Sequence, residues 1–253
     1  MKSYFFEFFF LLLSINFCLS LHARTLLHLK SSKNQYQSPI NLNHNTSQTS
    51  FIKPLFFYHP VNTTLFIDNH IIKTDSSSFG HLITLNNIVF NAEEITFHTP
   101  SEHFIDNKQY DMEMHIIHKG VSKGDQDKYA VISFLFEKEP GVFNDFIESL
   151  DYFNIGNSNI TIDINQIMPK ELSFFTYQGS LTIPPYTEKT IHYIFDKVIP
   201  ISNASIEMFK KAIQDKEEFD YLKYVYVNKK YRTNNRELQR VNNRKVYYYR
   251  NKK

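Results

Sequence analysis

The stretch ITFHTPSEHFIDNKQYDMEMHIIHKG, residues 95–120, holds four histidines and two glutamates in 26 residues. Both of its ends alternate. Read as a strand, EEITFH (93–98) puts Glu94, Thr96 and His98 on one face and Ile95 and Phe97 on the other. DMEMHIIH (111–118) likewise sends Met112, Met114 and Ile116 one way, and Glu113, His115 and Ile117 the other. A hairpin through TPSEHFIDNKQY would bring His98 and His115 together with Glu113 beside them. Two neutral imidazoles with one or two carboxylates hold a divalent transition metal, Zn2+ most readily. Two histidines satisfied by hydrogen bonds in a polar cavity are the plainer alternative. A catalytic zinc takes three protein ligands and a water. His103, in the turn, and His118, on the opposite face, do not easily supply the third.

Outward from this stretch the chain keeps a β character. Its segments are short, rich in Ile, Val, Phe, Tyr and Thr, and separated by Asn, Asp, Ser and Gly. KYAVISFLFEKE (128–139) reads as a central strand buried on both faces, and ITLNNIVF (83–90) as a hairpin turning at Asn86 and Asn87. Helical spacing appears in VFNDFIESLDYF (142–153) and SIEMFKKAIQDKEEF (205–219). The second has Ser205 as a candidate N-cap and Ile206, Phe209 and Ile213 on one side. The expectation is a β-dominated α+β protein with short peripheral helices.

Residues 1–20, Lys2 followed by an apolar run ending at Ser20, read as a secretory signal peptide, with retention as a membrane anchor the alternative. Residues 21–253 then form one domain, secreted or in the secretory-pathway lumen. Cys18 is the only cysteine, so the mature chain has no disulfide and no cysteine metal site. Sequons at Asn45, Asn62, Asn159 and Asn203 predict a glycoprotein. Formal charge is +2, with a basic C-terminal run of Arg240, Arg244, Lys245, Arg250, Lys252 and Lys253 interleaved with Tyr247, Tyr248 and Tyr249. That run reads as a solvated tail able to meet an extracellular polyanion, and secretion argues against nucleic acid. Nothing in the sequence specifies oligomeric state.

Four segments in this order, YQSPINL (36–42), FHTPSEHFIDNKQYDMEMHIIHK (97–119), YQGSLTIPPYTE (177–188) and NNRELQRVNNRKVYY (234–248), closely resemble the α-carbonic anhydrase family. The resemblance implies a large, twisted, mostly antiparallel sheet carrying a zinc site in a conical cleft. Of the family's three histidine ligands, the second falls on His98 and the third on His115. The first falls on Thr96, so the set is one imidazole short. Glu94, two residues away on the same face, is the possible substitute in a His2Glu set.

Further roles follow from the resemblance alone. It places on Thr182 the hydroxyl that orients the nucleophile, and on Glu102 the buried carboxylate that accepts that hydroxyl's hydrogen bond. Glu113 matches the carboxylate behind the third ligand. Ile117, Val131 and Leu181 match the apolar wall for CO2, and His70 matches the proton shuttle. His103 and His118 match structural histidines. Tyr186 falls where many secreted relatives have a cysteine, and His192 where a tryptophan is usual. The implied function is a carbonic anhydrase-related binding module with weak or no CO2 hydration. The alternative is a working zinc lyase interconverting CO2 and bicarbonate, its metal set completed by Glu94 or water.

Overall fold

The computed structural model describes residues 35–68, 71–74, 78–84, 86–151, 155, 159–220 and 233–251, with side chains of 214–220 excepted. The segment 1–20, His70, Lys252 and Lys253 lie outside the described residues. The strands are β1 (Asn41–Leu42), β2 (Gln48–Ser50), β3 (Leu55–Tyr58), β4 (Val61–Asp68), β5 (Ile71–Thr74), β6 (Gly80–Ile83), β7 (Val89–His98) and β8 (Phe104–Ile105). They continue with β9 (Lys108–Gln109), β10 (Met112–Gly120), β11 (Tyr129–Lys138), β12 (Asn159–Ile162), β13 (Ser173–Ser180), β14 (Glu188–Phe195), β15 (Ile199–Ile201) and β16 (Tyr247–Arg250). The principal sheet runs β12-β4-β5-β7-β10-β11-β14-β13-β16-β2, with β3, β6 and β15 joined at its sides. Most neighbours are antiparallel. The exceptions in this sheet are β11 with β14 and β15, and β16 with β2.

The centre of the sheet is apolar on both faces, as the unbroken burial of Ala130–Phe136 requires. Ile95, Phe97, Met112, Met114, Ile116, Ile132 and Phe134 enter the larger core on one face. Leu135, Phe175, Tyr177 and Ile194 build a second core with Ile40 and Leu42 on the other. Glu113, His115 and Ile117 lie on that second side, so the alternation read from the sequence places the polar residues on one face.

The connection between β7 and β10 is more than a turn. Phe104–Ile105 and Lys108–Gln109 form their own hairpin, closed by Asp106 (φ 50) and Asn107 (φ 66). Positive φ at both central residues matches the twist of a tight hairpin, and Asp and Asn tolerate it. β8 also pairs with β1, which ties this hairpin to the YQSPINL segment. Asn87 (φ 56) turns the β6–β7 hairpin as its sequence suggested.

Helix α1 spans only Asp145–Glu148, far less than the periodicity of 142–153 implied. Asn144 caps its start by accepting from the Ile147 N–H at 3.2 Å, and Asp151 (φ 42) leaves helical space soon after it ends. Helix α2 (Asn203–Asp220) begins earlier than expected. Ser202, not Ser205, is the cap: its Oγ accepts from the Ser205 N–H at 3.0 Å. Ser205 Oγ instead bonds Glu148 Oε1 at 2.7 Å, linking the two helices. Ile206, Phe209 and Ile213 join the larger core, and the rings of Phe209 and Phe97 sit 5.3 Å apart.

The basic C-terminal run is not a free tail over its described part. Tyr247–Arg250 is β16, inserted between β13 and β2. Arg244 is buried and spends its guanidinium on the carbonyls of Val241 (2.9 Å), Arg240 (2.7 Å) and Gln178 (3.3 Å). Arg240, Lys245 and Arg250 remain exposed. All four sequon asparagines, Asn45, Asn62, Asn159 and Asn203, are exposed.

Candidate functional site

Register decides which side chains meet. Across β7 and β10, His98 lies opposite Glu113, Thr96 opposite His115, and Glu94 opposite Ile117. On its other edge β7 places Lys73 of β5 directly opposite Thr96. Beyond β10 the rows continue: His115 faces Ser133, and Ile117 faces Val131, which in turn faces His192. Paired side chains project to the same face, so one row reads Lys73, Thr96, His115, Ser133 and the next Glu94, Ile117, Val131, His192.

His98 and His115 are buried with ring centroids 4.7 Å apart. Their tautomers follow from their partners. His98 Nδ1 faces two acceptors, the Asn234 carbonyl at 3.5 Å and Glu102 Oε1 at 3.4 Å. It therefore carries the proton, leaving a lone pair on Nε2. That lone pair meets the Thr96 hydroxyl at 3.1 Å, so Thr96 donates. Burial, reinforced by the nearby His115, depresses the His98 pKa to about 3 and keeps the ring neutral.

His115 Nε2 donates to Glu113 Oε1 at 2.7 Å. Its Nδ1 points to Thr182 Oγ1 at 3.5 Å and Glu102 Oε2 at 3.7 Å.

Glu113 anchors the network. Oε1 also receives His103 Nδ1–H at 2.7 Å, while Oε2 accepts the N–H groups of Glu102 (2.9 Å) and His103 (2.8 Å). Burial alone would raise its pKa, but the attraction and hydrogen bonds of His103 and His115 outweigh that and hold it well below the usual carboxylate range. Glu102 goes the other way: burial pushes it to about 7, against lowering influences that include His115, the Thr182 hydroxyl and the Arg236 N–H. Arg236 N–H reaches Glu102 Oε1 at 2.7 Å. Thr182 is thus near enough to Glu102 to be felt, yet Oε2 closes no hydrogen bond of normal geometry.

Ile117, Val131 and Leu181 form one small apolar cluster, with Tyr129 and Ile183 against it. Glu94 sits at the edge of the site, its Oε2 3.6 Å from Lys73 Nζ and its Oε1 buried without a partner. His118 is apart from the site, sunk in the larger core side with Nε2 2.9 Å from the Tyr58 hydroxyl.

Several residues that shape the site carried no assigned role in the sequence reading. Asn234 clamps the end of β7: its side chain bonds the Thr99 N–H (2.7 Å) and the Phe97 carbonyl (2.9 Å). Arg236 donates to the Ser38 carbonyl (2.6 Å) and Gln37 Oε1 (2.9 Å) and covers the Tyr186 ring at 3.8 Å. Both stand in the NNRELQ segment, so the signal was present as a motif without a mechanism. Lys73 had no local signal at all.

Among the described residues, two groups could offer a metal three ligand atoms within 4.8 Å: His98, Glu102 and His115, and His103, Glu113 and His115. In the second, Glu113 is already committed to four donors. In the first, the one lone pair of His98 is capped by Thr96. The residues do not fit a zinc ion held by three imidazoles: two are present, and the third corner is a hydroxyl turned onto one of them.

Comparison with known proteins agrees with the architecture. The family model described as eukaryotic-type carbonic anhydrase matches residues 26–250. Alpha carbonic anhydrase 8 of Arabidopsis thaliana is 29% identical over 205 residues, covering 77% of this chain and 48% of that protein. The chain therefore spans about half the length of that relative. Dioscorin dioA3 of Dioscorea japonica is 27% identical over 225 residues, covering 86% of this chain and 76% of its own. A crystal structure of dioscorin complexed with ascorbate superposes with a TM-score of 0.72 at 28% identity, covering 87% of this chain and 88% of that one.

Proposed function

The chain belongs to the eukaryotic-type carbonic anhydrase family, and from that premise we propose that it is a carbonic anhydrase-related binding module, secreted, with a degenerate zinc site and weak or no CO2 hydration. One observation carries this reading. The Thr96 hydroxyl, directly opposite His115, caps the Nε2 lone pair of His98 at 3.1 Å. His98 Nε2 thereby meets a proton where the family needs a metal ion. In the family, zinc supplies the acidified water that attacks CO2. In this chain His98 and His115 alone would hold the ion, with Glu113 behind His115.

The alternative, a His2Glu lyase using Glu94, rests on that residue's buried and unpartnered Oε1. Against it stands Lys73, whose ammonium holds the other oxygen. The apolar cluster of Ile117, Val131 and Leu181 supports a small-molecule site against an apolar wall. That a dioscorin of this fold is known with ascorbate supports a small polar organic ligand for it. Exposed Arg240, Lys245 and Arg250 support an extracellular polyanion as a second class of partner. Export is supported by the apolar start of the chain and by the exposure of all four sequon asparagines.

Metal analysis after zinc loading and dialysis tests the proposal, together with stopped-flow CO2 hydration of the wild type and Glu94→Gln. The expected result is clearly substoichiometric zinc and near-background hydration in both. One zinc per chain with hydration lost in Glu94→Gln would establish the lyase instead.

A further inference from the structure

We propose that Lys73 is a second bar to a divalent metal in this cleft, acting by charge where Thr96 acts by lacking an imidazole. The inference rests on the reading that the histidine set is one ligand short. Its own support is the register. Lys73 on β5 is the direct cross-strand partner of Thr96, so its side chain leaves the sheet on the face that bears His98 and His115. The chain is held rather than free: its side chain is 17% exposed, and Nζ lies 2.8 Å from Asp68 Oδ2 and 3.6 Å from Glu94 Oε2. Asp68 ends β4 and Glu94 precedes Thr96 by two positions on β7, so the ammonium is tied to carboxylates from both strands that flank β5.

Its charge is secure. The two carboxylates nearest the ammonium, Asp68 and Glu94, both favour its charged form. A fixed cation beside a dication is repulsive, and the partly buried setting screens it less than bulk water would. Lys73 also pairs with one oxygen of Glu94, the carboxylate two residues from Thr96 on the same strand. Restoring the histidine alone therefore leaves an electrostatic penalty in place.

The test measures zinc affinity by competition with a chromophoric chelator, so it does not depend on activity. Glu94→Gln is introduced throughout, which removes the chance that a freed Glu94 becomes a ligand. The comparison is then Thr96→His/Glu94→Gln against the same protein carrying Lys73→Met, with Lys73→Arg as the charge-keeping control and Lys73→Gln as a second neutral form. Loss of the charge should tighten zinc binding on the order of 10–100-fold, the range seen when groups just outside a metal's ligands are changed. Lys73→Arg should leave it as weak as Lys73. Equal affinity with and without the charge, or no zinc in either, overturns the role of Lys73. Tight stoichiometric zinc in the unmodified protein would instead overturn the degenerate-site reading, so the two failures are distinct.

Discussion

Thr96 and His98, two residues apart on β7, are hydrogen-bonded through Oγ1 and Nε2 at 3.1 Å. Alternation places both on one face, which is what a metal-binding pair requires, but here the pair satisfies itself. The acceptor nitrogen of a fully buried, neutral ring is matched to the Thr96 hydroxyl. Burying such a nitrogen unmatched would be costly.

Thr96→Val therefore tests whether the hydroxyl is structural. Valine keeps the shape and removes the donor, leaving His98 Nε2 unsatisfied. Unfolding in urea should show a loss of about 1–3 kcal/mol, the usual cost of orphaning a buried polar group. An unchanged midpoint would mean that the nitrogen finds another donor.

The buried titrating groups set the acid stability. Burial pushes His98 down to about 3 and His118 down to about 4, from the ordinary 6.5. The unfolded chain binds those protons first, so their contribution is complete above pH 6.5 and falls away as pH drops toward 3. Glu102 has the opposite sign: raised from 4.5 to about 7, it takes its proton in the folded state first. Its contribution is complete below pH 4.5 and lost as pH rises through 7. The two effects oppose each other between 4.5 and 6.5. Below 4.5 the depressed Glu113 joins the histidines, and stability should fall steeply. Glu102→Gln removes the compensating group, so its urea midpoint should decline more steeply than the wild type's from pH 7 to 4.5. Parallel profiles would exclude Glu102 as the compensator.

Where local pattern determined the outcome, the sequence was readable. The faces of 93–98 and 111–118, the doubly buried strand at 128–139 and the turn at Asn87 all follow from alternation and turn chemistry. The family motifs also located the residues that surround His98 and His115. Less readable were features set by partners distant in sequence. Lys73 is an ordinary residue in IIKT until pairing with β7 sets it against Thr96. Arg244 resembles any basic surface residue until the chain packs its guanidinium among carbonyls. Helix α1 shows a third limit, because helical spacing persisted past Glu148 while the chain turned away at Asp151.

Removing the charge at Glu113 should unsettle the whole network. Glu113→Gln keeps the size but offers an NH2 where one oxygen accepted donors from Glu102, His103 or His115. Leaving a buried donor of this set unmatched costs about 1–3 kcal/mol. Chemical denaturation should register a loss of that order, accompanied by sharper exchange of the Glu102 and His103 amides. Retained protection of both amides would show that the backbone holds this loop without the carboxylate.

Gly179 offers the most local test of how the separated motifs meet. It lies in YQGSLTIPP, and a Cβ built on it would stand 2.1 Å from Ser38 Oγ and 2.8 Å from the Tyr177 ring. Ser38, from YQSPINL, is not free to retreat. Its Oγ accepts from the Tyr177 hydroxyl at 2.7 Å and the Ser180 N–H at 3.1 Å, while its carbonyl accepts from Arg236 at 2.6 Å. The same Tyr177 hydroxyl lies 2.8 Å from His103 Nε2, and His103 reaches Glu113. An alanine at 179 thus presses on a chain of contacts that ends at the carboxylate behind His115. Overpacking of this kind costs about 1–3 kcal/mol, occasionally more. Gly179→Ala should lower the urea midpoint accordingly and shift the imidazole NMR signals of His103 and His115. Pairing it with Ser38→Ala separates the causes: if steric pressure on Oγ is the source, the double variant should lose little beyond Ser38→Ala alone. Simple additivity of the two losses would place the clash on the Tyr177 ring, leaving Ser38 a bystander.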